Sequence, residues 1–128
     1  MEPDASTNHW SREVIGAAIE VHRILGPGFR ESVYEEALAH EFRLRCVPFQ
    51  RQSTVPILYK GSKVGRGRMD FVVAACIVVD LKSIEGLSPI HTSQVLSYLK
   101  ETGLPLGLLI NFNERLLKQG IRRIVLTQ

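Results

Sequence analysis

The first part of the chain alternates apolar and polar residues with the period of an α-helix. Apolar side chains recur at helical spacing over residues 11–25, and the run Gly26-Pro27-Gly28 ends that pattern. Ser11 is expected to cap this first helix. Residues 1–8 precede the pattern and are expected to form a flexible leader. A second helix is predicted from about residue 30 to about residue 46, with an apolar side formed by Tyr34, Leu38 and Phe42.

The pattern then changes from helical spacing to short apolar runs typical of strands. Residues 60–63 and 74–75 read as turns, and residue 103 is a glycine that closes a third helix beginning at Ser88 or Thr92. The predicted strands cover residues 49–59, 64–73, 76–82, 104–112 and 121–126. This order of elements predicts an α/β protein with a mixed central sheet flanked by helices.

Length and composition fit a single domain over residues 1–128. Hydrophobic residues make up 45% of the chain and charged residues 23%, and the net charge of +3 permits nucleic-acid binding without requiring it. Cys46 and Cys76 are too few and too far apart for a disulfide framework or a zinc site. The polar N-terminus lacks the apolar segment of a signal peptide, and no apolar run is long enough to cross a membrane. A cytoplasmic location without membrane association is therefore expected.

Three charged residues interrupt the apolar hairpin "MDFVVAACIVVDLKS", which covers residues 69–83. With a turn centred at residue 75, Asp70 lies opposite Asp80, and Lys82 shares the face of Asp80. Cross-strand Cβ atoms are about 5 Å apart, and like charges at that distance are destabilising. A divalent cation would remove the conflict, and oxygen ligands suit Mg²⁺ or Mn²⁺. A turn shifted by one residue would instead leave these acids in solvent at the sheet edge.

Glu31 and Gln94 are further candidates for a polar site. Glu31 falls on the apolar stripe of the second helix, where a carboxylate is costly unless it is paired or bound to metal. The alternative is a first-turn acid that complements the helix dipole. Gln94 and Tyr98 are four residues apart and share one helix face, with Gln94 as a site residue or a surface residue and Tyr98 as packing.

Basic residues cluster around the predicted turn at residues 60–63. In this position they form either a solvated face or an edge that contacts phosphate groups. The cluster consists of Lys60, Lys63, Arg66 and Arg68.

The ordered motifs of the chain resemble those of a known nuclease superfamily. Asp70 followed by Asp80-Leu81-Lys82 is similar to the PD-(D/E)xK signature, although Met69 replaces the proline and Asp80 is one methylene shorter than the glutamate of many relatives. The segment "GFRESVY" resembles the motif of the GxxExxY proteins, a branch of that superfamily. Further matching segments are "EVHRILGPG" at 20–28, "YKG" at 59–61, "Q…SYL" at 94–99 and "GLLINF" at 107–112.

This resemblance implies a restriction-endonuclease-like αβββαβ core and assigns roles to the candidate residues. It implies Asp70 and Asp80 as metal-binding acids, Glu31 as an acid that joins them from a helix, and Mg²⁺ or Mn²⁺ as the cofactor. It implies Lys82 as the catalytic lysine and Gln94 as a polar residue that orients the site.

The expected function is a metal-dependent nuclease acting on DNA or RNA phosphodiesters. Lys82 would position or deprotonate the attacking water, or offset charge on the phosphate. The alternative is a module that keeps the nuclease fold with weak or no catalysis and binds nucleic acid or a protein partner. A homodimer or a partner protein would supply the targeting that a chain of this size has little room for.

Overall fold

The computed structural model describes residues 3–126 of the chain, as three α-helices, five strands and one short 3₁₀ helix. The α-helices are α1 (Ala5–Leu25), α2 (Glu31–Leu44) and α3 (Pro89–Thr102). The strands are β1 (Phe49–Tyr59), β2 (Ser62–Val73), β3 (Ile77–Lys82), β4 (Leu106–Asn111) and β5 (Ile121–Ile124), with the 3₁₀ helix at Leu117–Gly120. In the described part of the chain, no helix is long and apolar enough to span a membrane.

The strands form one mixed sheet in the order β1-β2-β3-β4-β5. β3 and β4 are parallel, and the other neighbouring pairs are antiparallel. The crossover between the parallel pair contains α3, as a parallel connection requires. The predicted αβββαβ order is confirmed as α2-β1-β2-β3-α3-β4, with α1 added before it and β5 after it.

Helices cover the sheet on both faces. The larger apolar cluster joins α1 and α2 to the sheet and contains Phe42 and Phe71, whose rings meet edge to face at 5.3 Å between centroids. The smaller cluster joins α3 to the opposite face through Val95 and Leu99. Burial on both faces explains the uninterrupted apolar runs of β3 and β4.

Helix α1 begins earlier than its apolar pattern indicates. The Asp4 carboxylate accepts a hydrogen bond from the Thr7 N–H at 2.8 Å and caps the helix, while Ser11 is buried inside it. The prediction of a flexible leader is therefore wrong for residues 5–8, which are helical, and residues 1 and 2 lie outside the described part. The first turn of α1 is polar, so the apolar pattern of the helix does not include it. A capped first turn needs few apolar contacts.

The turn between β2 and β3 has the predicted position. Pairs Phe71–Val79, Val72–Val78 and Val73–Ile77 all sum to 150, as expected for a turn centred at residue 75. Residues 74–76 form a three-residue connection in which the Cys76 N–H donates a hydrogen bond to the Val73 carbonyl at 3.0 Å, and Ala74 and Ala75 both adopt left-handed backbone angles, with φ of 53° and 54°. The next pair in this register is Asp70 and Asp80, at the open end of the hairpin.

Candidate functional site

A cleft of about 300 Å³ lies where β2 and β3 separate, beside α3 and the start of α2. It gathers all five residues predicted to carry chemistry, together with two of the four predicted basic contacts; Lys60 and Lys63 are not part of its lining. The lining consists of Glu31, Arg66, Gly67, Arg68, Asp70, Asp80, Lys82, Gln94 and Tyr98. The chain therefore brings polar residues from four separate elements to one place.

Asp70 and Asp80 each use one carboxylate oxygen within the protein. Asp70 Oδ2 accepts a hydrogen bond from the Leu81 N–H at 2.7 Å, in place of the backbone bond that the separated strands no longer make. Asp80 is only 4% exposed, and its Oδ2 accepts a hydrogen bond from Lys82 Nζ at 3.0 Å. These contacts fix the orientation of both acids toward the cleft.

Simultaneous ionisation of Asp70 and Asp80 is unfavourable. Burial is the main cause that raises the pKa of Asp70, the Leu81 N–H opposes the shift, and the nearby charge of Asp80 adds to it, with a net pKa of about 7. The carboxyl of Asp70 thus exchanges a proton near neutral pH. An acid pair of this kind binds either a proton or a cation.

Lys82 remains a cation in this environment. Burial works against its charge, but the negative charges of Asp80, Glu31 and Asp70 outweigh that effect and raise the pKa of Lys82. An ammonium group stabilises negative charge and cannot accept a proton. The prediction that Lys82 deprotonates water therefore receives no support from its surroundings, whereas a role in offsetting charge does.

Glu31 is exposed at the mouth of the cleft, so the expectation that it faces the core is wrong. The reason is that α2 begins at Glu31, which places its side chain at the helix end while Tyr34 and Leu38 are fully buried. The first-turn position suits the helix dipole, and the same position adds a carboxylate to the cleft. Both roles considered for Glu31 are therefore compatible with its location.

Tyr34 holds the loop that presents Glu31. Its hydroxyl donates a hydrogen bond to the Gly26 carbonyl and accepts one from the Phe29 N–H at 3.2 Å, and its ring stacks on Phe112 at 4.5 Å. Ser83, just after Lys82, donates a hydrogen bond to the Phe29 carbonyl. The glycine-rich loop before α2 is thus tied to the end of β3, beside the acids.

Buried Asn111 fixes the chain that follows Lys82. Its Oδ1 accepts hydrogen bonds from the N–H groups of Ile84 and Asn113, and its Nδ2 donates to the Ile84 carbonyl at 3.0 Å. Asn111 is not among the residues predicted to form the site. Its only signal was a polar residue at the end of an apolar strand.

Gln94 is exposed on α3, and Tyr98 lies one turn further along the helix with only 6% exposure. The Tyr98 ring rests against the β2 backbone at Gly67, where an added Cβ would lie 2.4 Å from Tyr98 Cε1. The absence of a side chain at Gly67 therefore brings α3, and Gln94 with it, close to the acids.

A second group of residues behind Asp70 was not predicted. Gln52 stands opposite Asp70 in the β1–β2 register, has a left-handed φ of 55°, and donates a hydrogen bond from Nε2 to Glu35 Oε1 at 2.6 Å. Arg51 Nε holds the other Glu35 oxygen at 2.7 Å. Nothing in the sequence indicates that a glutamine adopts a left-handed conformation here. The contacts of Gln52 and Arg51 with Glu35 were therefore not predicted.

At Gln52, the side chains of β1 and β2 exchange the faces of the sheet to which they point. Phe71 packs in the cluster of α1 and α2, whereas Met69, two residues away, packs in the cluster of α3. Phe49 and Val55 on β1 show the same reversal. Asp70 lies at the point of reversal, which turns its carboxylate toward Leu81 and the cleft.

The donor set fits a hard divalent cation. Two carboxylates meet in a partly buried cleft, each with one oxygen outside the hydrogen bonds described, and oxygen ligands are those that Mg²⁺ and Mn²⁺ prefer. Among residues 3–126, no three His, Cys, Asp or Glu side chains are already arranged around one metal position. The acid pair is thus preformed and a third ligand is not.

An open mixed sheet with this order, covered by helices on both faces and carrying an acid pair and a lysine at one end, defines a restriction-endonuclease-like α/β protein. The chain belongs to the PD-(D/E)XK nuclease superfamily, whose family model matches residues 8–124. No curated protein and no solved structure matches the chain.

Proposed function

We propose that the chain hydrolyses phosphodiester bonds of nucleic acids with a divalent metal ion, as a member of the GxxExxY branch of its superfamily. The observation that carries the proposal is the convergence of Asp70, Asp80 and Lys82 in one cleft. The segment "GFRESVY" supports the branch, because Glu31 reaches the same cleft and Tyr34 holds the loop before it.

Asp70 and Asp80 would hold the metal ion through their remaining oxygens, with Glu31 as a third ligand from the cleft mouth. Mg²⁺ or Mn²⁺ bound there would supply an activated water and offset charge on the phosphate in the transition state. Proton loss from Asp70 would accompany metal binding, since a carboxylate must be ionised to act as a ligand.

Lys82 would stabilise the negative charge that develops on the non-bridging phosphate oxygens during attack. Its ammonium group is held in place by Asp80, so little reorganisation is required when that charge forms. Gln94 would orient the scissile phosphate from the opposite wall of the cleft, because its amide both donates and accepts hydrogen bonds.

The nucleic acid would approach over the basic residues of β2 and its turn. Arg66 and Arg68 would contact phosphates at the cleft, and Lys60 and Lys63 would contact phosphates beyond it. Both cysteines of the chain are free thiols, which fits the reducing cytoplasm that we propose as its location.

A second candidate function is nucleic-acid or partner-protein binding without catalysis. The observation that favours it is the Lys82–Asp80 ion pair at 3.0 Å, which occupies one oxygen of the most deeply buried acid. The absence of a preformed third ligand among residues 3–126 points the same way. A protein with this function would use the same basic surface to bind but would not hydrolyse phosphodiesters.

Cleavage assays separate the two candidates. Wild type, Asp80→Asn, Lys82→Met and the control Lys100→Met, which removes an exposed charge from α3, are compared on DNA and RNA in Mg²⁺ or Mn²⁺. Hydrolysis predicts cutting by wild type and control, with a loss of at least about a hundredfold in the two site variants. Equal trace cutting by all four proteins would indicate a contaminant and reject catalysis.

A further inference from the structure

A second concave site lies between α1 and the segment that follows β4. It has a volume of about 260 Å³ and shares no lining residue with the acid cleft. This site is here named the α1 groove. Its lining consists of Ile19, His22 and Arg23 from α1, and of Arg115, Leu116, Leu117 and Lys118 from the segment that leads into the 3₁₀ helix.

The α1 groove exposes aliphatic side chains next to the core. Ile19 is 47% exposed and Leu116 is 57% exposed, whereas the adjacent Leu117 is buried in the cluster of α1 and α2. Exposed apolar surface is common on proteins, but in a concave site it can be buried by an apolar side chain of a ligand. The groove therefore offers an apolar floor.

Hydrogen bonds hold the two walls of the α1 groove together. His22 Nε2 donates to the Glu114 carbonyl at 2.6 Å, next to Arg115. Nearer the start of α1, the Arg123 guanidinium donates to Asn8 Oδ1 at 3.0 Å. The groove is therefore preformed, which lowers the conformational cost of binding.

Positive charge lies on both sides of the apolar floor. Arg12 is seven residues before Ile19 and eleven before Arg23, so these three residues share one side of α1. Arg115 and Lys118 lie on the opposite wall of the groove, and both are exposed. A ligand seated on the floor would thus meet cations on two sides.

Acidic side chains of the chain offset little of this charge. Glu20 pairs with Arg23 at 2.9 Å, and Glu13, seven residues earlier, shares the side of α1 on which Glu20 lies. Cγ of the nearby Glu114 lies 2.8 Å from the position of an added Cβ at Gly120. Among residues 3–126, three cations of the groove have no carboxylate within ion-pairing distance. These cations are Arg12, Arg115 and Lys118.

We propose that the α1 groove docks an acidic peptide segment of a partner protein. One large apolar side chain of that segment would lie between Ile19 and Leu116, and its carboxylates would pair with Arg12, Arg115 and Lys118. The groove volume of about 260 Å³ is below the roughly 300–1,000 Å³ of small-molecule sites and suits one side chain of a longer ligand. The inference goes beyond the proposed function and does not depend on it, because groove and cleft share no residue.

Other occupants fit the α1 groove less well. A second copy related by a twofold axis would bring like charges together, and the acids of α2 that could match the groove already pair within the chain. These pairs are Glu35 and Glu36 with Arg51, and Glu41 with Arg45. Nucleic acid would satisfy the cations but leave the aliphatic floor uncovered. A lipid surface favours apolar side chains that protrude, not a concave site.

A peptide selection identifies the chemistry that the folded full chain binds. Random 16-residue peptides displayed on phage are selected against wild type, and the peptide enriched most is synthesised with a fluorescein label. We expect enriched peptides to share acidic residues on both sides of one large apolar residue. Fluorescence anisotropy then measures the affinity of the synthetic peptide at several salt concentrations.

Two groove variants and two matched controls locate the binding site. Leu116→Ser removes the apolar floor, and Arg115→Gln/Lys118→Gln removes two cations. The controls are Ile90→Ser, which changes a side chain 70% exposed on α3, and Lys60→Gln/Lys63→Gln, which removes two exposed cations from the β1–β2 hairpin. Thermal melting verifies that all variants are folded.

We expect each groove variant to weaken peptide binding at least about tenfold, since anchor residues dominate small interfaces. Both controls should stay within about twofold of wild type. Arg115→Gln/Lys118→Gln should also flatten the dependence of affinity on salt, because surface charge pairs are screened by ions. Leu116→Ser should leave that dependence unchanged.

Several results would overturn the inference. Failure to enrich a peptide, a consensus without acidic residues, or equal affinity of wild type and both groove variants would each reject the acidic segment. Cosedimentation with phosphatidylserine vesicles that is lost in Leu116→Ser would assign the groove to a lipid surface instead. A dimer in analytical ultracentrifugation that is lost in Leu116→Ser would assign it to a second copy.

Discussion

Asp70 shows how a single residue couples folding, protonation and metal binding. It is held by the Leu81 N–H, faces the charge of Asp80, and has a pKa raised to about 7 mainly by burial. In the unfolded chain an aspartate ionises near pH 3.9. Between these values the folded protein retains a proton that the unfolded chain has lost, so the folded state becomes less stable as pH rises.

Replacement of Asp70 by Asn should flatten this dependence. Stability from this group is fully present below about pH 4 and is lost as pH rises through about 7. One pKa unit corresponds to about 1.4 kcal/mol, and because Asp70 is partly solvated we expect wild type to lose roughly 1–2 kcal/mol more than Asp70→Asn across that range. Urea unfolding without metal at pH 4.5 and pH 7.5 measures the difference. Parallel stability profiles for the two proteins would contradict the assigned pKa.

Gln52 offers a second test at the scale of one residue, through its left-handed backbone. Gln52→Ala and Gln52→Gly both remove the bond to Glu35, but only glycine adopts a φ of 55° without strain. We therefore expect Gln52→Gly to be more stable than Gln52→Ala by about 1 kcal/mol, measured by urea unfolding.

The neighbouring Ser53, in ordinary strand conformation, serves as the matched control. There the order should reverse, with Ala more stable than Gly, because glycine weakens a regular strand. The same order at both positions would show that the Gln52 backbone is unstrained or relaxes freely.

At the scale of elements, close packing between α3 and β2 brings Gln94 to the cleft. The Tyr98 ring occupies the space where a residue-67 side chain would lie, 2.4 Å from the added Cβ, whereas a Cβ at Gly65 would meet nothing within 4 Å. Two glycines in one strand thus have different physical roles, and only one of them is required by packing.

Gly67→Ala should therefore destabilise the protein while Gly65→Ala should not. Overpacking typically costs about 1–3 kcal/mol, and the ring of Tyr98 has little room to move because the residue is nearly buried. Gly65→Ala should be neutral or slightly stabilising, since alanine restricts the unfolded chain. Thermal unfolding of both variants measures the contrast. Similar melting temperatures would show that α3 shifts away from β2 at little cost.

Features determined by local interactions were predicted correctly from the sequence, whereas features determined by long-range packing were not. The β2–β3 turn and register were predictable because a short turn and strand alternation are local and together place Asp70 opposite Asp80. The exposure of Glu31 was not predictable, because it depends on where α2 begins relative to the sheet. The reversal at Gln52 depends on packing against two helix layers, which no local pattern encodes.

At the scale of the whole molecule, charge is balanced inside the cleft and unbalanced outside it. The lining combines the carboxylates of Glu31, Asp70 and Asp80 with the cations of Arg66, Arg68 and Lys82. A divalent ion would make this balanced site positive and extend the positive charge of Lys60 and Lys63, on the β1–β2 hairpin, toward the acids. Metal and nucleic acid should then bind with positive coupling, and each should raise the affinity for the other by the same factor.

Metal binding should stabilise the folded chain in a pH-dependent manner. A ligand that binds only the folded state raises stability by RT ln(1 + [L]/Kd), so Mn²⁺ should raise the melting temperature of wild type. Below the Asp70 pKa of about 7, the metal must displace a proton, and its apparent affinity should fall about tenfold per pH unit. The Mn²⁺-induced increase should therefore be clearly larger at pH 8 than at pH 6.

Charge-matched variants identify the source of that stabilisation. Asp80→Asn should lose it at both pH values, because one of the two buried ligands is gone, while Glu101→Gln, an exposed change on α3, should behave as wild type. Nonspecific association of Mn²⁺ with surface acids would stabilise all three proteins alike. An increase of equal size at pH 6 and pH 8 would place the metal away from Asp70, since only a ligand that titrates near 7 makes the metal compete with a proton in this range.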